Sequence, residues 1–204
     1  MTGLDRPTDR LVRLAAAIAG GVPSRVAEAA GAAVQAEVPV LWGDELLLQS
    51  VLMVGYPRAL AAAGEWRLAA GPPAPDAEDG TDFSQTAAWL ARGESICRVI
   101  YGANYEKLRS NVAGLHPALD GWMVSEGYGR TLARPGLDLV RREFCVIAQV
   151  TVLGAERQLH SHLRGAQNAG ADRAAIAAVL EATAGEASGP ALAMARSLWE
   201  RVAP

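Results

Sequence analysis

The chain is short of the residues that usually announce a chemistry: its 204 positions include two cysteines and three histidines. Two cysteines, Cys97 and Cys145, do not make a disulfide scaffold and suit a reducing cytoplasm, where the protein is expected to reside. Both fall among apolar residues on expected helices and read as buried structural thiols. Charge of one sign is also missing. With 19 basic and 22 acidic residues mixed along the chain and a net charge of -3, no basic stripe is present to neutralise phosphates, which argues against a nucleic-acid partner. No apolar run approaches the roughly 20 residues needed to span a bilayer, so no membrane partner is expected. The run LAAAIAGGV near the N-terminus follows Asp5 and Asp9 and has no clear cleavage site, so it reads as mature protein. Nor do the histidines form a metal chelate. His160 and His162 lie two residues apart and diverge by about 200° on a helix, so no metal and no cofactor are expected.

What the chain does have is helix-forming sequence. Half its residues are hydrophobic, and the periodic segments are rich in Ala, Leu, Arg and Glu, which favours an all-α protein. Helices are expected near 8–19, 24–36, 43–54, 57–68, 84–101, 104–113, 116–130, 138–153, 156–169, 172–184 and 189–202. Ser84, Asp138 and Asp172 are placed to cap the helices that follow them.

The helical pattern recurs. Gly21, Ala33, Pro57 and Trp66 each return 133 positions later as Gly154, Ala166, Pro190 and Trp199, and Leu14 and Val26 meet Ile147 and Leu159 at the same offset. Three units follow: an N-terminal copy over 1–68, a linker over 69–83 and a C-terminal domain over 84–204. The linker, with three prolines, two glycines and four acidic residues between Ala69 and Asp82, reads as exposed. The two copies differ in what they keep: counting back 133 from Glu143 gives Arg10, and from His162 gives Ala29. One copy reads as scaffold and the other as functional.

Chemistry concentrates between Arg134 and Ala182. The helix after Asp138 is apolar on most of its surface and should be buried with Glu143 in it. Burial without a charged partner raises a carboxyl's pKa towards neutrality, which suits a general acid or base; a surface Glu stabilised by the helix dipole is the plainer alternative. Gln158 and His162, four apart on the next helix, share a face, while His160 points elsewhere.

This stretch resembles the core of the carboxymuconolactone decarboxylase-like family, which shares the fold of alkylhydroperoxidase D. The resemblance is carried by Arg134-Pro135-Gly136-Leu137-Asp138, Arg142-Glu143, Gly154, Gln158-Leu159, His162, Gly165-Ala166 and Asn168-Ala169-Gly170-Ala171. It implies an alkylhydroperoxidase D-like helical bundle, here as two fused repeats with a degenerate first copy, and names Glu143 and His162 as catalytic. In the redox members a CxxC pair lies between that Glu and His. Those positions here are Ala155 and Gln158, so thiol peroxidase chemistry lacks its nucleophile and resolving thiol. The decarboxylase branch remains. GESICRVIYGANYEKL is similar to its opening helix, and WMVSEGYGRTLARPGLD to its approach to the core. That likeness makes Tyr128, Arg130 and Arg134 candidates for substrate binding, with Arg134 either anchoring a substrate carboxylate bidentately or bridging in its loop; Gln158 joins them through the helix face it shares with His162. Family members build rings of dimers, so a fused pair implies a homo-oligomer, a homotrimer before other forms.

Three functions stand open at this point. One is cofactor-free decarboxylation or isomerisation of a small carboxylated lactone or related acid, with His162 moving the proton and Glu143 sharing or orienting it. Another is a non-catalytic ligand-binding or assembly role, in which the pair is structural. The third is a thiol peroxidase, which the missing CxxC disfavours.

Overall fold

The computed structural model describes residues 3–75 and 78–202, and among these it contains no strand. The all-α expectation holds. The helices are α1 (Arg6–Gly20), α2 (Pro23–Gln35), α3 (Val40–Ala70), α4 (Thr86–Tyr101), α5 (Tyr105–Leu115), α6 (Pro117–Trp122), a π-helix (Met123–Leu132), α7 (Leu139–Val152), α8 (Glu156–Asn168), α9 (Arg173–Ala182) and α10 (Gly189–Val202).

The caps are set by local chemistry. Asp138 and Asp172 accept from the backbone N–H groups of Arg141 and Ala174, and Asp5 does the same for Thr8 at the start of α1. Ser84 is not the cap of α4. It lies inside a 3₁₀ turn, Phe83–Gln85, that Asp82 caps, and α4 begins only at Thr86. The helix expected over 116–130 is also two elements. Six residues of α-helix pass into the π-helix, whose widened turn is closed by the Ala133 N–H donating to Tyr128 O at 2.7 Å. The widened turn carries Tyr128, and such turns inside helices gather at functional sites.

The run of α3 is long and apolar enough, by length and composition alone, to cross a membrane. Gly55 interrupts it at φ 72°, ψ 169°, and Pro57 follows without an N–H to give. Each rod is therefore shorter than the roughly 20 residues a span requires. The inward face of the first rod also carries buried Glu45, Gln49 and Ser50.

Three pairs of helix starts stand 133 residues apart. Arg6 and Leu139 open α1 and α7, Pro23 and Glu156 open α2 and α8, and Val40 and Arg173 open α3 and α9. Gly21 and Gly154 both take positive φ after the first helix of each set. Helix α1 packs on α7, where the Arg141 guanidinium donates to the Thr8 hydroxyl, two positions themselves 133 apart. The halves part where polar residues are concerned. Glu45 on α3 receives Arg142 Nη2 at 2.8 Å and Arg134 Nε at 3.0 and 3.1 Å, with all three residues buried. The positions at the same offset from Glu45 and Arg142, Ala178 and Asp9, line a surface cleft instead.

The segment between α3 and α4 is tied down where it is described. Asp44 receives the indole N–H of Trp66 and the backbone N–H of Ala74. Further on, Arg92 holds Glu78 by two bonds of 2.9 and 3.0 Å, Arg130 donates to Gly80 O, and Arg134 donates to Glu78 O. Pro72, Pro73 and Asp79 are exposed as expected, while Glu78 and Gly80 are half-buried under these arginines. Asp76 and Ala77 lie outside the described residues.

Candidate active site

Helices α7 and α8 cross so that Glu143 and His162 face each other. His162 Nδ1 and Glu143 Oε2 are 2.9 Å apart, with Glu143 fully buried and His162 6 % exposed. The approach depends on Gly165. A Cβ there would sit 2.7 Å from Glu143 Oε2 and 2.6 Å from Ile100 Cγ2, so a side chain at 165 would displace the carboxylate. The other carboxylate oxygen, Oε1, is buried and has no hydrogen-bond partner in the protein. A buried acceptor left in that state costs free energy and calls for an explanation. With Nδ1 engaged by the carboxylate, Nε2 is the ring nitrogen left to exchange a proton with a ligand.

A pair of phenols stands behind the carboxylate. The hydroxyls of Tyr101 and Tyr128 are 2.8 Å apart, and the rings meet edge to face. Helix α4 and the π-helix approach this closely because glycines meet at their crossing. Added Cβ atoms at Gly93 and Gly129 would fall 2.1 Å from Val124 O and 2.0 Å from Trp89 O, respectively. Burial pushes the Tyr101 hydroxyl up to about 12, and its bond to Tyr128 only partly offsets this. Burial likewise raises Tyr128 well above the ordinary phenol range, with the Tyr101 hydroxyl and the Glu143 charge adding to it. Both phenols stay neutral near pH 7. Whichever hydroxyl donates within the pair, the accepting one keeps its own O–H to offer elsewhere.

The remaining candidates are scattered. Arg134 is committed to Glu45 and the linker, and together with Arg130 it lines a separate cleft that also holds Tyr56, Glu78 and Glu126. Gln158, one turn before His162, is exposed. His160 lines clefts on the other side of α8, as the 200° divergence requires. The structure therefore brings together Glu143, His162 and Tyr128, and adds Tyr101, which the sequence reading passed over. Its four-residue spacing from Cys97 is the one signal that could have placed it on an inward face.

Cys97 and Cys145 are both buried free thiols, and burial pushes each up to about 12. At neutral pH a negligible fraction is thiolate, the form that attacks peroxide. Ellman's reagent is accordingly expected to find no reactive thiol in the native protein and two in the denatured one; rapid native labelling at either position would restore redox chemistry. Among the described residues no group of His, Cys, Asp and Glu is placed to hold a metal ion.

Residues 121–201 match the model of the carboxymuconolactone decarboxylase family, and the matched segment contains both Glu143 and His162. The resemblance read from the motifs is borne out over this segment, and the family has the alkylhydroperoxidase D-like all-α fold. No curated protein matches the chain.

Proposed function

From the family match over residues 121–201, we propose that the chain is a cofactor-free enzyme. It would move a proton on a small carboxylated lactone or related acid, with loss of carbon dioxide or with isomerisation. The observation that carries this reading is the buried Glu143–His162 bond of 2.9 Å beside a carboxylate oxygen with no partner in the protein. In decarboxylation the C–C bond to the leaving carboxylate breaks, and its electron pair passes to the neighbouring conjugated carbonyl as an enolate. The imidazolium of His162 gives its Nε2 proton to the enolate carbon, and solvent returns a proton to the ring. Glu143 stabilises the imidazolium through Nδ1–H. A hydroxyl of the Tyr101–Tyr128 pair, both of whose members feel the Glu143 charge, would be the neutral donor for the enolate oxygen, since a preorganised donor aimed at developing charge is worth most in a buried site. Isomerisation uses the same groups, with His162 Nε2 first removing and then returning the proton.

The test is direct. The protein is offered a panel of carboxylated lactones and β-keto acids in deuterated water, with carbon dioxide release and deuterium uptake at carbon both followed. Turnover with at least one compound is expected. No release and no exchange across the panel would leave the second reading, a ligand-binding or assembly protein in which the pair is a buried structural bond. That reading draws on the near-complete burial of both side chains.

Self-association into a homotrimer is part of the proposal. Leu48 and Leu52 on the first rod of α3, and Tyr56 and Leu60 beyond the break at Gly55, are 41–68 % exposed, large apolar side chains of the kind that subunit contacts cover. Light scattering at micromolar concentration should give three times the 21.3 kDa chain mass; a stable monomer would contradict it. The two buried free thiols favour a reducing cytoplasm as the setting.

A further inference from the structure

Arginine is this chain's partner for carboxylates, as Arg25, Arg92, Arg109 and Arg196 show. One face departs from that use. Between the end of α4, α5 and α8 lies an open cleft of about 720 Å³ whose lining holds no carboxylate. The clefts lined by Glu181, Glu78, Glu28 and Glu156 each mix both charges. Lys107, the only lysine in the sequence, lines the carboxylate-free cleft from α5, and Arg164 lines it from α8. Both are exposed, and among the described residues neither side chain has a hydrogen-bond or ion-pair partner. His160, one turn before Arg164, shares its helix face. The side-chain amides of Asn104, Asn111 and Gln167 add further donors to the lining, likewise without partners among the described residues.

A molecule held here is not the one that Glu143 and His162 act on. Ile100 and Tyr101 line the cleft on one side. On the other, Ile100 closes over Gly165 against Glu143, and the Tyr101 hydroxyl meets that of Tyr128. The donor set also exceeds what a carboxylate can use, since a single Arg fork satisfies both of its oxygens. A phosphate monoester carries a charge of about −1.5 to −2 at pH 7 and three acceptor oxygens. Lys107 supplies a compact point charge and Arg164 a planar fork, the two cation types that phosphates take. Side-chain amides both donate and accept, which suits the hydroxyls of an attached carrier. We propose that this cleft binds a phosphate monoester of a small polyhydroxylated molecule. Lys107 and Arg164 hold the phosphate, and Asn104, Asn111 and Gln167 read the hydroxyls. The site is separate from the proposed reaction and binds its ligand whether or not turnover occurs.

The experiment is calorimetric titration of ribose 5-phosphate, glucose 6-phosphate and glycerol 3-phosphate into the full chain, with inorganic phosphate and free ribose in parallel. At least one ester should bind more tightly than inorganic phosphate, and free ribose should give no heat of binding. Lys107 and Arg164 are exposed, so replacing either by Ala leaves the core packing intact. Each replacement should weaken the bound ester about 10- to 100-fold, the loss expected for a charge-assisted contact. Arg196→Ala, at a different cleft, and His162→Ala should bind that ester as wild type does. Because Lys107 is the only lysine, isotope-labelled reductive methylation gives a single lysine signal in NMR, and that signal should shift when the ester is added. Three results would each overturn the site: no ester bound, binding indifferent to both cationic substitutions, or an unmoved lysine signal. Inorganic phosphate bound as tightly as every ester would overturn the polyhydroxylated carrier. Ester binding lost in His162→Ala but kept in Lys107→Ala would move the ligand to the buried pair and overturn the separate site.

Discussion

Replacing His162 by Ala, or Glu143 by Gln, is expected to lower turnover about 10²–10⁴-fold, the usual contribution of general acid–base catalysis. The two substitutions act on different parts of one device. His162→Ala removes the group that carries the proton. Glu143→Gln keeps an acceptor for Nδ1–H, and so the ring orientation, but removes the charge that stabilises the imidazolium. Groups acting as a unit are strongly non-additive. The double variant should therefore be no slower than the slower single variant. Circular dichroism and thermal melting should show all three variants folded. Losses that multiply, or that track a fall in melting temperature, would make the pair structural.

Glu45→Ala should be the most destabilising single change at a polar position. The substitution leaves the guanidiniums of Arg134 and Arg142, 5 % and 1 % exposed, without their shared carboxylate. Burial already pulls the Arg142 guanidinium below its ordinary value, against the opposing pull of Glu45. Breaking a buried pair by removing one partner typically costs about 3–5 kcal/mol, since the surviving charge is left desolvated. In a chain of this size that is a fall in Tm on the order of 10 °C. Glu181→Gln, at the exposed pair with Arg196, is the control and should leave Tm unchanged. Equal melting temperatures for the two variants would show that the Glu45 cluster does not hold α3 to α7.

Why Glu45 escaped the sequence reading is instructive. Its signal was available: a Glu inside the run LWGDELLLQS, where an unpaired carboxylate is costly. Its partners, however, lie 89 and 97 residues away, and no local pattern joins them. Arg134 could be read locally only as a loop bridge or a substrate anchor, and the third choice, a partner from the first half of the chain, decided its place. The helix periods were legible because they depend on neighbours three and four residues apart. Asp138 and Asp172 as caps, the divergence of His160 from His162 and the break near Pro57 all belong to that class. The π-helix did not, since no residue type in MVSEGYGRTL marks the switch to i→i+5 bonding. Glu143 opposite His162 was legible only through the family motif. Their distance depends on Gly165 and on the crossing of α7 with α8, which pattern alone does not supply.

The most direct measurement is a crystal structure of the full chain with a non-reactive carboxylated lactone analogue bound. The account predicts a ligand atom within hydrogen-bond reach, about 2.6–3.2 Å, of His162 Nε2 or Glu143 Oε1. A ligand held elsewhere in an active protein, with the Glu143–His162 pair sealed and untouched, would contradict it.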